Sequence, residues 1–116
     1  MTAFGRLGEF FASKTIFNIE PDIITVAKGI TSGYVPLGGV LISDRLIEEV
    51  RSEKNSSVMF SNGFTYSSHP VSCAAAIKNI EIMEREGLFA HVRSFAPHFQ
   101  ARLQKCRQFD IVGDLR

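Results

Sequence analysis

The stretch Pro21–Val40, PDIITVAKGITSGYVPLGGV, decides how this chain is read. Its first half holds Ile23-Ile24-Thr25-Val26-Ala27, a run rich in β-branched residues that predicts a strand buried on both faces. The run ends on Lys28, and a loop with Gly29, Gly33, Gly38 and Gly39 follows. A lysine at the end of a buried strand is costly unless it is paired, neutral or covalently modified. The glycines let other groups approach the backbone closely. Lys28 is therefore the sharpest candidate for chemistry. A nucleophilic lysine needs a desolvated setting and a rigid seat, and α/β folds place their sites at strand C-termini. The plainer alternative is a lysine whose stem packs on apolar surface while its ammonium reaches water. Spacing alone favours that alternative.

Working outward, Gly39–Ile42 predicts a second strand of the same kind. Ser43 and Asp44 offer N-caps, and Leu46, Ile47 and Val50 form one apolar helical stripe through Arg51. Val58-Met59-Phe60 predicts a short strand, and Glu9–Ser13 a single turn of helix. Pro70 suits the first turn of a helix, capped by Ser68 or His69, that runs to Glu86 with Gly87 as a left-handed C-cap. Leu88, Val92, Phe95, Phe99 and Leu103 then mark an amphipathic helix with a kink expected at Pro97. Ile111 and Val112 begin a last strand. Strands and helices alternate, so the class is α/β. The sheet looks incomplete, because two or three strands cannot cover so much apolar helix surface. The chain also opens and stops in mid-pattern, and we expect it to be a piece of something longer.

Composition narrows the function classes. The formal net charge is +1 and the basic residues are dispersed among acidic ones, so no electrostatic footprint for nucleic acid exists. Arg45, Glu48 and Glu49 interrupt the best apolar region, so no membrane span is expected. The N-terminus lacks the pattern of a signal peptide. Cys73 and Cys106 match no metal or redox spacing and suit buried thiols in a reducing cytosol, so a cytoplasmic location is expected.

Other motifs are weaker. The glycine loop does not fit a nucleotide-binding loop, since its lysine precedes the glycines and no G-x-G-x-x-G occurs. The segment GFTYSSHP, Gly63–Pro70, carries hydroxyls on Thr65, Tyr66, Ser67 and Ser68 just ahead of a helix N-terminus. Such a turn holds an anion such as a phosphate, or it simply caps the helix, and sequence leaves both open. His69, His91 and His98 have no metal spacing, and His69 reads as a cap or supporting residue.

Taken together, FGRLGEFFAS, PDIITVAKGITSGYVPLGGVLISDRL, GFTYSSHPVSCAAAIKNIEIMEREGL and QARLQKCRQFDIVGDLR resemble, in this order, the class III pyridoxal-phosphate aminotransferases. The resemblance covers nearly the whole chain and reverses the plain reading of Lys28. It implies that Lys28 forms the Schiff base with the aldehyde of pyridoxal 5′-phosphate and then shuttles a proton between substrate and cofactor. It implies that Thr65 reaches the cofactor phosphate across a subunit boundary, with a backbone contact from Phe64. Tyr34 receives no role. The fold implied is part of the large domain of a fold-type I pyridoxal-phosphate transferase, an incomplete sheet with packed helices. Residues 1–116 would be a fragment of that domain, ending where the C-terminal small domain begins.

The activity implied is transfer of an amino group from an amine or ω-amino acid to a keto acid such as pyruvate, in a homodimer or larger assembly. In the family, the phosphate-binding turn, the aromatic residue stacked on the pyridine ring and the aspartate at its nitrogen lie upstream of these motifs. The 116 residues alone are therefore expected to be inactive, and the alternative role is self-association or complementation of another segment. Ser68 stands where glycine is common, and Asn62 where histidine is common.

Overall fold

The strand run forms as read. In the computed structural model, which describes residues 3–51 and 61–115, β1 spans Ile23–Ala27 and β2 spans Gly38–Ile42. They pair antiparallel, with Ile23 opposite Ile42 and Ala27 opposite Gly38. Between them, Lys28–Thr31 winds into a single 3₁₀ turn. The expectation of strands buried on both faces is corrected: Ile23, Val40 and Leu41 are exposed. The sheet of the described residues has two strands, so no outer layer covers both of its faces. The strand expected from Ile111 is also corrected, since residues 111–115 form no strand and Ile111 is 94% exposed. A strand exists only by bonding a neighbour, and no neighbouring strand reaches it among the described residues. The strand expected at Val58–Phe60 lies outside the described residues.

The helices follow their apolar periodicity. The first, α1, is one turn at Ala12–Thr15, shifted from the expected Glu9–Ser13. Helix α2 spans Asp44–Arg51. The Ser43 carbonyl accepts from the Ile47 N–H at 3.1 Å, while the Ser43 hydroxyl turns aside and donates to Asp22 at 3.0 Å. Arg45 also donates to both Asp22 oxygens, at 3.2 and 2.5 Å, which ties the start of α2 to the start of β1. The Arg45 bonds, with help from Ser43, hold the Asp22 carboxyl below its usual range.

Helix α3, Pro70–Arg85, carries Pro70 in its first turn, as its missing N–H allows. Gly87, at φ +62°, ends it and begins α4, Leu88–Gln104. Pro97 sits inside α4 without ending it. His69 occupies the cap position of α3, but its side chain makes no capping bond.

The core is small. Its buried apolar side chains among the described residues are Ala12, Ala76 and Met83, with Thr31 and Ser72 buried beside them. A cap of phenylalanines extends it. The Phe10 ring lies 5.6 Å from Phe4 and 4.5 Å from Phe89, both edge-on. Gly5 admits this packing: a Cβ there would collide with the Met83 terminal methyl, and its φ of +88° is one that residues with a side chain rarely adopt. Arg93 donates to the Gly8 carbonyl and pairs with Glu9 at 3.1 Å, fastening the N-terminal segment to α4. Helix α3 packs on the 3₁₀ turn after β1 and on α4, so the core and the lysine loop share one wall.

Candidate functional site

Lys28 sits where β1 ends, and its backbone has turned out of the strand. Ala27 is fully extended at φ −162°, whereas Lys28 adopts φ +57°. That left-handed conformation costs a residue with a Cβ about 1–2 kcal/mol, so it persists only where the surroundings impose it. The turn that follows is heavily bonded. The Gly33 N–H donates to the Lys28 carbonyl and the Ser32 N–H to the Gly29 carbonyl, both at 3.2 Å. The Thr31 side chain is 2% exposed, and its hydroxyl donates to the Val35 carbonyl at 2.7 Å, closing the loop on itself.

A second element reaches the same turn. Asn79, half-buried on α3, donates from Nδ2 to the carbonyls of Gly29 at 3.0 Å and Ile30 at 3.1 Å. The Ser32 hydroxyl donates to Asn79 Oδ1 at 2.7 Å. Sequence reading missed Asn79. The available signal was its place between Ala76 and Met83 on the buried face of α3, where an amide is a poor helix former and needs partners.

Lys28 borders an open cavity of about 1010 Å³. Val26, Val35, Leu37 and Val40 give it an apolar floor, and Phe64, Tyr66, Ser67, Ser68 and His69 line its other side. The fold thus brings the lysine loop and the GFTYSSHP segment together within one chain. Within that segment the Phe64 N–H donates to the Ser67 hydroxyl at 2.8 Å, and the Ser67 N–H to the Phe64 carbonyl at 2.9 Å. Ser67 therefore shapes its own turn. Ser68 adopts φ +58°, a conformation that glycine takes without strain. Phe64 is 82% exposed and lies on the cavity, whereas Thr65, also exposed, is not one of its lining residues. Tyr34, in the loop after Lys28, is exposed as well.

The remaining candidates separate from this site. His91 and His98 flank Phe95 on α4, with ring centroids 5.9 and 5.4 Å away. Among the described residues no three His, Cys, Asp or Glu side chains could hold a metal together. A cavity of about 360 Å³ between the phenylalanine cap and β1 is lined by Phe4, Phe10, Phe11 and Ile23, with no titratable group to carry chemistry. No described helix is long and apolar enough to cross a membrane.

The chain as a whole is similar to known proteins. The family model for class III aminotransferases matches residues 1–116. A probable aminotransferase of Mycobacterium tuberculosis is 46% identical over 114 residues, covering 98% of this chain and 24% of the relative. A probable mitochondrial gamma-aminobutyrate transaminase of rice (Oryza sativa) is 40% identical over the full chain, which covers 23% of that protein. The chain thus spans about a quarter of the length of the curated relatives it matches. Among solved structures, an (S)-enantioselective omega-transaminase from Thermomicrobium roseum superposes with a TM-score of 0.85 at 41% identity, over 99% of this chain and 25% of that one. The taurine:2-oxoglutarate aminotransferase of Bifidobacterium kashiwanohense, solved with pyridoxal phosphate and glutamate, gives 0.86 at 34% identity, over 100% of this chain and 25% of that one. These two neighbours place the strands and helices described above within a partial α/β fold-type I domain. The chain belongs to the class III aminotransferases.

Proposed function

We propose that this chain carries the lysine side of an amine-transfer site that uses pyridoxal phosphate, within the large domain of its enzyme. The observation that supports this is the seating of Lys28. Its backbone is held left-handed at a strand end, on a cavity that it shares with the GFTYSSHP turn. The donor set suits the cofactor: a primary amine for its aldehyde and an apolar floor for its ring, while the hydroxyls ahead of the α3 N-terminus suit the anionic arm of a cofactor held in a neighbouring copy. Pyridoxal phosphate, when bound, supplies the electron sink that lets a bond at the amine-bearing carbon break.

The chain's own residues do the rest. Lys28 would hold the group through its Nζ and, once displaced by the amine substrate, carry the proton removed from the substrate carbon on that same atom. The apolar floor formed by Val26 and Val40 would exclude water beneath the ring. Thr65, with a backbone contact from Phe64, would reach the phosphate side of the site in a neighbouring copy, which would make a homodimer the smallest working unit. The substrates would be an amine or ω-amino acid and a keto acid such as pyruvate. The phosphate-binding turn, ring stack and pyridine aspartate of the family lie upstream of these motifs, so these residues would supply only part of the pocket. We therefore expect the 116 residues alone to take the cofactor at Lys28 without turning over, and to act otherwise only through association.

The test is borohydride reduction of the chain mixed with pyridoxal phosphate, followed by peptide mass spectrometry. Label should concentrate on Lys28 over Lys14, Lys78 and Lys105. Uniform labelling would overturn the reading. Amino transfer to pyruvate that depends on Lys28 would show instead that the chain is catalytically sufficient.

A further inference from the structure

We infer that Asn79 is a positioning residue for Lys28, a role that deepens and rests on the functional reading above. Three observations converge on it. The amide nitrogen of Asn79 donates to two successive carbonyls, Gly29 and Ile30, in the turn that begins at Lys28. Those bonds span about fifty residues of sequence, so they fix the lysine turn to α3 as well as to the strand from which it continues. The Ser32 hydroxyl holds the other end of the amide at Oδ1, which leaves Nδ2 facing the carbonyls.

The consequence follows from the backbone of Lys28. A residue with a Cβ does not stay at φ +57° without restraint from outside. The restraint comes from the turn, through Thr31 within it and Asn79 across from it. Helix α3 begins beside the GFTYSSHP segment, on the far side of the same cavity. Asn79 thus sets the lysine and that segment on one rigid body. Without its two donors the turn keeps its local bonds but loses its registration on α3. The amine then samples positions off the cavity, and its selectivity as a nucleophile falls. A second effect is steric and electrostatic: an aspartate in this place would aim a carboxylate at two carbonyl oxygens.

Two readouts on the full chain test this. In the first, borohydride-fixed pyridoxal phosphate on Lys28 is measured as a ratio to that on exposed Lys105, in the parent chain and in Asn79→Ala, Asn79→Asp and Ser32→Ala. Both Asn79 variants should lower the ratio about tenfold, the order expected for two ordinary hydrogen bonds, and Ser32→Ala about two- to threefold. In the second, hydrogen exchange of the Ser32, Gly33 and Tyr34 amides should quicken in the same order, with no cofactor present. An unchanged ratio alongside a lowered melting temperature would make Asn79 merely structural and overturn the inference. So would unchanged exchange. If Asn79→Ala loses its helical circular dichroism, the exposed Ser32→Ala substitution decides by the same ratio. A parent chain that shows no preference for Lys28 overturns the functional reading and this role with it, whereas a preference that survives in all three variants overturns this role alone.

Discussion

Lys28 occupies a backbone conformation that works against the stability of the chain. At φ +57° a side chain with a Cβ costs about 1–2 kcal/mol, and glycine escapes most of that penalty. Two substitutions separate chemistry from strain. Lys28→Ala removes the amine and keeps the strain, while Lys28→Gly removes both. Thermal unfolding at matched protein concentration should find Lys28→Gly more stable than Lys28→Ala by about 1 kcal/mol, the reverse of the usual order of these residues in regular structure. Equal stability would mean that the turn relaxes once the lysine is gone. The sequence placed this lysine at a strand end before glycines. Its positive φ was not legible, because that angle belongs to a turn whose closure depends on its own hydrogen bonds and on its packing against α3, about fifty residues away.

At the scale of elements, local pattern and outcome agree where an element makes its own bonds. Helices α3 and α4 follow the apolar spacing, with Pro70 at one end and Gly87 between them. Pro97 is the exception that the pattern flagged. It lies in the tenth position of α4, where it lacks the N–H that would bond the Arg93 carbonyl. Alanine in a helix interior is favoured over proline by about 3 kcal/mol, part of which the relaxed helix has already recovered. Pro97→Ala should therefore raise stability by about 1–2 kcal/mol and deepen the helical circular dichroism signal. A fall in either would show that the proline shapes a packing surface on α4. The strands behaved differently. Their β-branched runs predicted where they form, but burial on both faces did not follow, because burial depends on layers that the strands themselves do not contain.

For the whole molecule, the radius of gyration is 19.0 Å, where a compact domain of about this length has roughly 13 Å. Large apolar side chains stand exposed on several elements, including Ile23 and Val40 on the sheet, Phe95 and Phe99 on α4, and Ile111 beyond it. Covering each contributes roughly 1.5–3 kcal/mol, so several together favour association strongly. Sedimentation at micromolar concentration should find a dimer or larger assembly, with the apparent melting temperature rising with concentration. A stable monomer would mean that these faces are covered by rearrangement within one chain.

The amino-acid sequence by itself determined the two strand positions, helices α2, α3 and α4 with Pro70 and Gly87 at their ends, and the place of Lys28 at a strand end. Each of these rests on local causes: β-branching, apolar spacing, a proline that lacks an N–H, and a glycine that tolerates a positive φ. Only the tertiary structure decided that the strands pair antiparallel with open faces, and that Phe64 rather than Thr65 borders the cavity with Lys28. It alone decided that Asn79 grips the lysine turn. These depend on pairings between distant segments, whose energy comes from which surfaces meet, and no short window of sequence carries that information.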